Sequence, residues 1–200
     1  MIISHQFRFI FIKTIKTAGT SIEAYLSPLC GLDDVFTPIN PPEIGHQPRN
    51  FTDFHNHMSA WRIRQAIKPD IWNSYFKFCV ERNPWDKTVS DFCMANQRAG
   101  SRYQFADYFK RGRFCRSWEL YTDEDGSVLA DRVLRYEKLN QELGEVFMQL
   151  GVPWEGQLKV WAKSGYRTDG RPYQEWYTAE QAAIVQNVFA DEIQTFEYAF

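Results

Sequence analysis

The sequence has no apolar run approaching the roughly 18 residues that a membrane-spanning helix needs. Its opening, MIISHQFRFIFIKTIK, is apolar enough to suggest a signal peptide, but Arg8, Lys13 and Lys16 interrupt it and no small-residue cleavage site follows. The expectation is a soluble, cytoplasmic chain with no membrane span, stem, anchor or targeting segment. Cysteine is scarce. Cys30, Cys79, Cys93 and Cys115 stand far apart without a CxxC pair, which excludes a disulfide scaffold and reads as reduced, mostly buried thiols, with one disulfide pair left open. An excess of one charge is also missing: 23 Lys and Arg face 25 Asp and Glu, and a net charge of -2 excludes a protein that coats nucleic acid. Any anion must therefore be held by a local site. No HExxH and no carboxylate cluster suggests a metal. No internal repeat, low-complexity tract or long linker divides the 200 residues, so one domain over 1–200 is expected, its core supplied by 44% hydrophobic residues.

What is present alternates in kind. Phe7 to Ile12 and Tyr75 to Val80 are short apolar runs of the sort that form buried strands, and a third strand is expected at Val133 to Arg135. Helices are expected from SIEAYL, from Ser59 as N-cap of SAWRIRQAI, and after Asn83-Pro84, where Asn is a good cap and Pro suits the first helical position. One more should run to Leu150 and stop at Gly151. A last helix should start at a Thr178/Gln181 capping box and continue through Ile184, Val185, Val188, Phe189, Ile193 and Phe196. The proline-rich stretch 31–56 reads as irregular. Strands alternating with helices predict an α/β protein, a three-layer fold with a central parallel sheet flanked by helices.

Two strand ends carry chemistry. Lys16-Thr17-Ala18-Gly19-Thr20-Ser21 lies between a strand and a helix, where unpaired helix N–H groups, hydroxyls and a Lys can hold a phosphate or sulfate and Gly19 permits close approach. A basic turn with a hydroxyl-rich cap is the plainer alternative. The nucleoside triphosphate pattern GxxxxGK followed by Ser or Thr is not met, because Lys16 precedes Gly19. At the second strand end, Arg82 can fork two donors onto a phosphate, and Ser90 shares a helix side with Asp86. The same spacing equally allows Asp86 to take Arg82 as an ion pair. Two anion sites at the ends of adjacent parallel strands suit a nucleotide with phosphates at both 5′ and 3′ positions.

These motifs resemble a known family. IKTAGTS is similar to the 5′-phosphosulfate motif, usually PKTAGTS, and VERNPWDKTVSDF to the 3′-phosphate motif, typically RNPxDRxxSxY, of sulfotransferases that use 3′-phosphoadenosine 5′-phosphosulfate (PAPS). Within them the chain looks closest to the family 2 carbohydrate sulfotransferases, and His55-Asn56-His57-Met58-Ser59 resembles the HxHxS stretch of uronyl 2-O-sulfotransferases. The likeness extends to Arg135-Tyr136-Glu137, to Lys163-Ser164-Gly165-Tyr166-Arg167 and to the aromatic run from Tyr173 to Tyr177. It implies a P-loop-NTPase-like fold, PAPS as cofactor with 3′-phosphoadenosine 5′-phosphate as product, and no metal. It further implies Lys16, Thr17, Ala18, Gly19, Thr20 and Ser21 at the 5′-phosphosulfate and Arg82 with Ser90 at the 3′-phosphate. Lys163, Ser164 and Arg167 would belong to a loop closing over the nucleotide, Lys16 would stabilise the leaving group, and His57, with His55 second, would be the base. Three positions depart from the pattern: Ile15 for Pro, Glu81 beside Arg82, and Lys87 for Arg. Alternation along a strand should turn Glu81 away from its neighbour.

The expected reaction is sulfuryl transfer from PAPS to an acceptor hydroxyl, in the first instance of a glycan or sugar-containing metabolite. Basic and aromatic residues interleave from Arg98 to Trp118, which fits an anionic sugar or, equally, a solvated helix face with its aromatics in the core. Two other readings compete: a catalytically silent nucleotide- or glycan-binding module of the same fold, and a divergent nucleotide kinase.

Overall fold

A computed structural model describes residues 1–158, 164–167 and 170–200. Along the chain the elements are β1 (Ile2–Ser4), β2 (Phe9–Phe11), α1 (Gly19–Leu26), β3 (Val35–Phe36), α2 (Ala60–Ala66), α3 (Pro69–Ser74) and β4 (Phe76–Glu81). There follow α4 (Pro84–Arg98), α5 (Phe105–Lys110), α6 (Trp118–Tyr121), β5 (Arg132–Arg135), α7 (Leu139–Leu150), α8 (Ala179–Val188) and α9 (Ala190–Phe196). Among the described residues the strands make one sheet in the order β3-β1-β2-β4-β5. Its centre is parallel: β2 pairs with β4, Phe9 opposite Phe76, and β4 with β5, Glu81 opposite Arg135. The apolar runs at 9–11 and 76–81 take this place because parallel strands are covered on both faces. The expected α/β class, a P-loop-like arrangement with a central parallel sheet flanked by helices, is the fold adopted.

Two strands were not expected. β1 adds antiparallel to β2 and β3 antiparallel to β1. The turn after β1 is organised by Asp34, whose carboxylate accepts from the Ser4 hydroxyl (2.8 Å) and from the His5 and Gln6 N–H groups (2.6 and 3.2 Å). Both Asp34 and β3 belong to the proline-rich stretch expected to be irregular, so distant residues supply the order that its local sequence does not announce.

The packing divides into two compact units, Met1–Glu81 with Ser117–Ala162, and Arg82–Arg116 with Lys163–Phe200. The first contains the sheet, and Phe11, Ile22, Phe78, Leu134, Leu143 and Phe147 are among the residues that fill its core. Each such side chain contributes about 1.5–3 kcal/mol by leaving water. Helix α7 stops at Gly151, whose φ of 69° is the left-handed cap that glycine adopts without a Cβ clash. α2 starts at Ser59, whose side chain accepts from the Arg62 N–H.

In the second unit, Asn83 caps α4 through Oδ1, which accepts from the Trp85 and Asp86 N–H groups, with Pro84 at the first position. Val89, Phe92, Cys93 and Tyr108 form its buried cluster, with Phe105, Phe109 and Trp176 packed against them. The capping box at Thr178 and Gln181 is present. The helix expected to run unbroken to Phe196 is two, divided at Phe189, whose φ of -108° and ψ of 30° leave the helical region. Phe189 is fully buried and its ring meets Phe114 at 6.2 Å. Apolar spacing continues across the break, so periodicity does not reveal it. Among the described residues no helix is long and apolar enough to cross a membrane. Cys79, Cys93 and Cys115 are buried and Cys30 is half-buried, all as free thiols.

Candidate functional site

The first unit builds its loop by fixing each residue after β2 in turn. Ile12 N–H continues the sheet to the Phe78 carbonyl at 2.9 Å. The Thr14 hydroxyl donates to the Val80 carbonyl, so at its 2.7 Å contact with Thr17 Oγ1 it must accept. The Thr17 proton is thereby used inside the loop, and Thr17 has its backbone N–H to offer an anion. Ile15, where the family pattern has Pro, possesses an N–H, and the buried Ser117 Oγ accepts it at 3.0 Å.

Lys16 and Ala18 both adopt positive φ, 62° and 60°. For residues with a Cβ this costs about 1–2 kcal/mol each, and such alternation makes a concavity of backbone N–H groups suited to an anion. α1 then starts at Gly19 with Ala18 as its N-cap, a residue with no side chain that could accept from the first turn. The Ile22 N–H returns to the Ala18 carbonyl at 3.1 Å, which starts the helical ladder; N–H groups of a helix's first turn lie before such a ladder. Lys16 is half-buried, and Thr20 and Ser21 are buried.

Gly19 has a role that its place in the motif does not disclose. A Cβ there would lie 2.7 Å from Lys13 Cγ. Lys13 is buried beneath it, and its ammonium meets Glu23 Oε2 at 2.5 Å. The other Glu23 oxygen receives the Met1 ammonium, also at 2.5 Å. Burial alone would raise the Glu23 carboxyl, but the two ammonium groups hold it below its ordinary value.

The structure separates the two candidate histidines. His55 is exposed, its Nδ1 3.1 Å from the neighbouring Asn56 carbonyl. His57 is half-buried at a left-handed φ of 58°, with Nδ1 3.0 Å from the Lys13 carbonyl. A carbonyl can only accept, so Nδ1 carries the proton and Nε2 keeps a lone pair. Burial, then the Lys13 ammonium, pull the His57 pKa down to about 4 from 6.5, so the ring is neutral at physiological pH.

In the second unit the Arg82 guanidinium is held by Asp86, Nε at 2.8 Å and Nη2 at 2.7 Å from Oδ2. Arg167 Nη1 reaches the other oxygen, Oδ1, at 2.6 Å. The ion pair that the i, i+4 spacing allowed is formed, and it joins two of the expected nucleotide residues through one carboxylate. Ser90 is half-buried. Lys87 is fully buried, its ammonium 5.8 Å from the Phe189 ring. Lys163 and the Ser164 side chain lie outside the described residues. Of the aromatics in the basic stretch, Tyr103 is exposed with Arg111 over its ring at 4.7 Å, Tyr108 belongs to the buried cluster, and Phe105, Phe109 and Phe114 are half-buried against it. In the first unit the third departure from the family pattern, Glu81, is buried and accepts from the Tyr121 hydroxyl at 3.1 Å.

Sequence reasoning missed Lys13, Glu23, Thr14 and Ser117. None bears a motif signal, since each acts through a partner distant in the chain or through its backbone.

No family model matches this chain. An uncharacterized protein of Archaeoglobus fulgidus is 28% identical over 109 residues, covering 52% of this chain and 90% of that protein. Among solved structures, mouse sulfotransferase SULT7A1 complexed with PAP is similar over 95% of this chain and 85% of that one, with a TM-score of 0.55 and 14% identity. The chain therefore shares the fold of that sulfotransferase.

Proposed function

We propose that the protein is a PAPS-dependent sulfotransferase acting on an acceptor hydroxyl, that of a carbohydrate or sugar-containing metabolite. The observation that carries this reading is the bond from His57 Nδ1 to the carbonyl of Lys13, a residue close in sequence to a loop in which Lys16 and Ala18 are left-handed; it leaves a neutral imidazole with a lone pair on Nε2. In the first unit an uncapped helix start, and in the second a buried arginine, are each of the kind that holds a phosphate or sulfate.

PAPS supplies the sulfuryl group. The N–H groups of residues 16–21 would hold the 5′-phosphosulfate, and Lys16 would stabilise charge on the bridging oxygen as its bond to sulfur breaks. Arg82, Ser90 and Arg167 would take the 3′-phosphate. His57 Nε2 would accept the acceptor proton as the new oxygen–sulfur bond forms, a role that typically contributes ~10²–10⁴ in rate. His55, exposed and bonded to its own neighbour, is the weaker candidate.

The test compares thermal stability in 3′,5′-ADP with that in ATP plus Mg²⁺. Ligand at ~100 times its dissociation constant stabilises by about 2.7 kcal/mol, a readily measured melting shift. The expected result is a shift with 3′,5′-ADP and transfer of sulfate from PAPS to members of a glycan panel. A shift with ATP plus Mg²⁺ alone would replace this reading with the kinase, and a shift with 3′,5′-ADP without transfer to any acceptor would replace it with the silent binding module.

A further inference from the structure

Lys13 is an unusual residue to find at the end of a buried strand. It is 3% exposed, and three parts of it are committed. Its carbonyl accepts from His57 Nδ1 at 3.0 Å, its stem occupies the space that a Gly19 Cβ would need, and its ammonium meets Glu23 Oε2 at 2.5 Å. Glu23 is completely buried in α1. A buried ion pair is a poor device for stability alone, since well-packed apolar residues of similar volume often serve as well or better. Here its members contact both parts of the candidate site in this unit, the helix start that would face the sulfate and the histidine that would face the acceptor.

We propose that Lys13 and Glu23 are positioning residues for His57: with its stem under Gly19 and its ammonium on Glu23, Lys13 presents its carbonyl to Nδ1 and so holds the ring in the tautomer whose Nε2 accepts a proton. The pair also sets the charge that His57 experiences. This inference rests on the reading of His57 as the base.

The charged groups around the ring act in known directions. Burial is the largest influence and lowers the His57 pKa, the Lys13 and Met1 ammonium groups lower it further, and Glu23 raises it. Burial pulls the Met1 ammonium itself down to about 6, and His46, which feels the same Glu23 and Lys13 charges, is also lowered by burial. With a folded pKa of about 4 against 6.5, His57 binds fewer protons folded than unfolded between these values, so its contribution to stability is intact above about 6.5 and is lost as pH falls toward 4. The unprotonated base persists over the same range.

Nitrogen NMR of histidine-labelled full-length protein reads this directly, with His57→Asn assigning the resonance. The wild type should show Nδ1 protonated, Nε2 unprotonated and a midpoint near 4. Lys13→Met should raise the midpoint by about one pH unit and Glu23→Gln should lower it, since a nearby cation disfavours and an anion favours the imidazolium. Charge alone gives shifts of these signs, so the tautomer decides: the proposal expects the two ring tautomers to mix in each variant, and a ring that keeps the wild-type tautomer in both, or a wild-type ring protonated on Nε2, would overturn it. If a single variant does not fold, Lys13→Met/Glu23→Gln, which removes both charges of the pair, decides: the proposal expects the two tautomers to mix, and a single tautomer with the wild-type midpoint would refute it. The titration needs no turnover, so its outcome is distinct from that of the nucleotide melting test.

Discussion

The two candidate anion sites are built from different materials. In the first unit the binding surface is backbone: Lys16 and Ala18 are already in left-handed conformations, and α1 begins without a capping side chain. In the second it is side chain, and the side chains are engaged, with Arg82 and Arg167 sharing the Asp86 carboxylate. The first bears its conformational cost before any ligand arrives, as strained positions at binding sites commonly do. Any anion taken by the second would have to compete with the Asp86 carboxylate. Rigid geometry therefore belongs to the loop and exchangeable charge to the arginine pair.

Five substitutions probe this contrast. Lys16→Ala should lower kcat by ~10²–10³ with the melting temperature preserved, the scale of losing one donor to transition-state charge; undiminished turnover would remove Lys16 from the mechanism. Arg82→Ala should weaken 3′,5′-ADP by ~10–100-fold in calorimetry, the equivalent of one charged hydrogen bond of about 1.5–3 kcal/mol. Asp86→Asn should tighten it severalfold if the carboxylate competes with phosphate; weaker binding would show instead that Asp86 aims the arginines. Gly19→Ala should destabilise by about 1–3 kcal/mol in urea unfolding through overpacking. Lys13 is anchored at Glu23 and cannot swing aside, so the penalty should shrink in a Lys13→Met background. The smallest effect belongs to Ser117→Ala, about 1 kcal/mol, because it leaves the Ile15 N–H without its acceptor. With Ile15→Pro no N–H remains, so the cost of Ser117→Ala should fall; additive losses would refute that pairing.

Much of this was readable where the signal is local. Asn83-Pro84, Thr178 with Gln181, Ser59 and Gly151 mark helix ends through chemistry confined to one turn, and all four sit as expected. The Arg82–Asp86 pair was one of two outcomes that a four-residue spacing allows. β1 and β3 escaped because no apolar run as long as that around β2 marks them; their order comes from antiparallel pairing along the sheet. The positive φ of Lys16, Ala18 and His57 escaped because nothing in Lys, Ala or His announces it; the surrounding fold imposes it. Thr17 illustrates the limit on motif reading: its hydroxyl has the right chemistry for an anion, yet Thr14 already takes its proton.

Both compact units are assembled from interrupted stretches of chain. This bears on how the molecule comes to exist. The ladder between β4 and β5 aligns Cys79 with Val133 and cannot zip until the whole of 82–131 has been synthesised and looped out. The second unit likewise waits for 163–200 after 82–116 has left the ribosome. Such non-local pairing slows folding, since loop closure precedes the contacts that reward it. A polypeptide halted at residue 116 would hold β2 and β4 without β5 and an aromatic cluster without Trp176 and Tyr177, apolar surface exposed in both units at once. Completion of both units late in synthesis is what this threading requires.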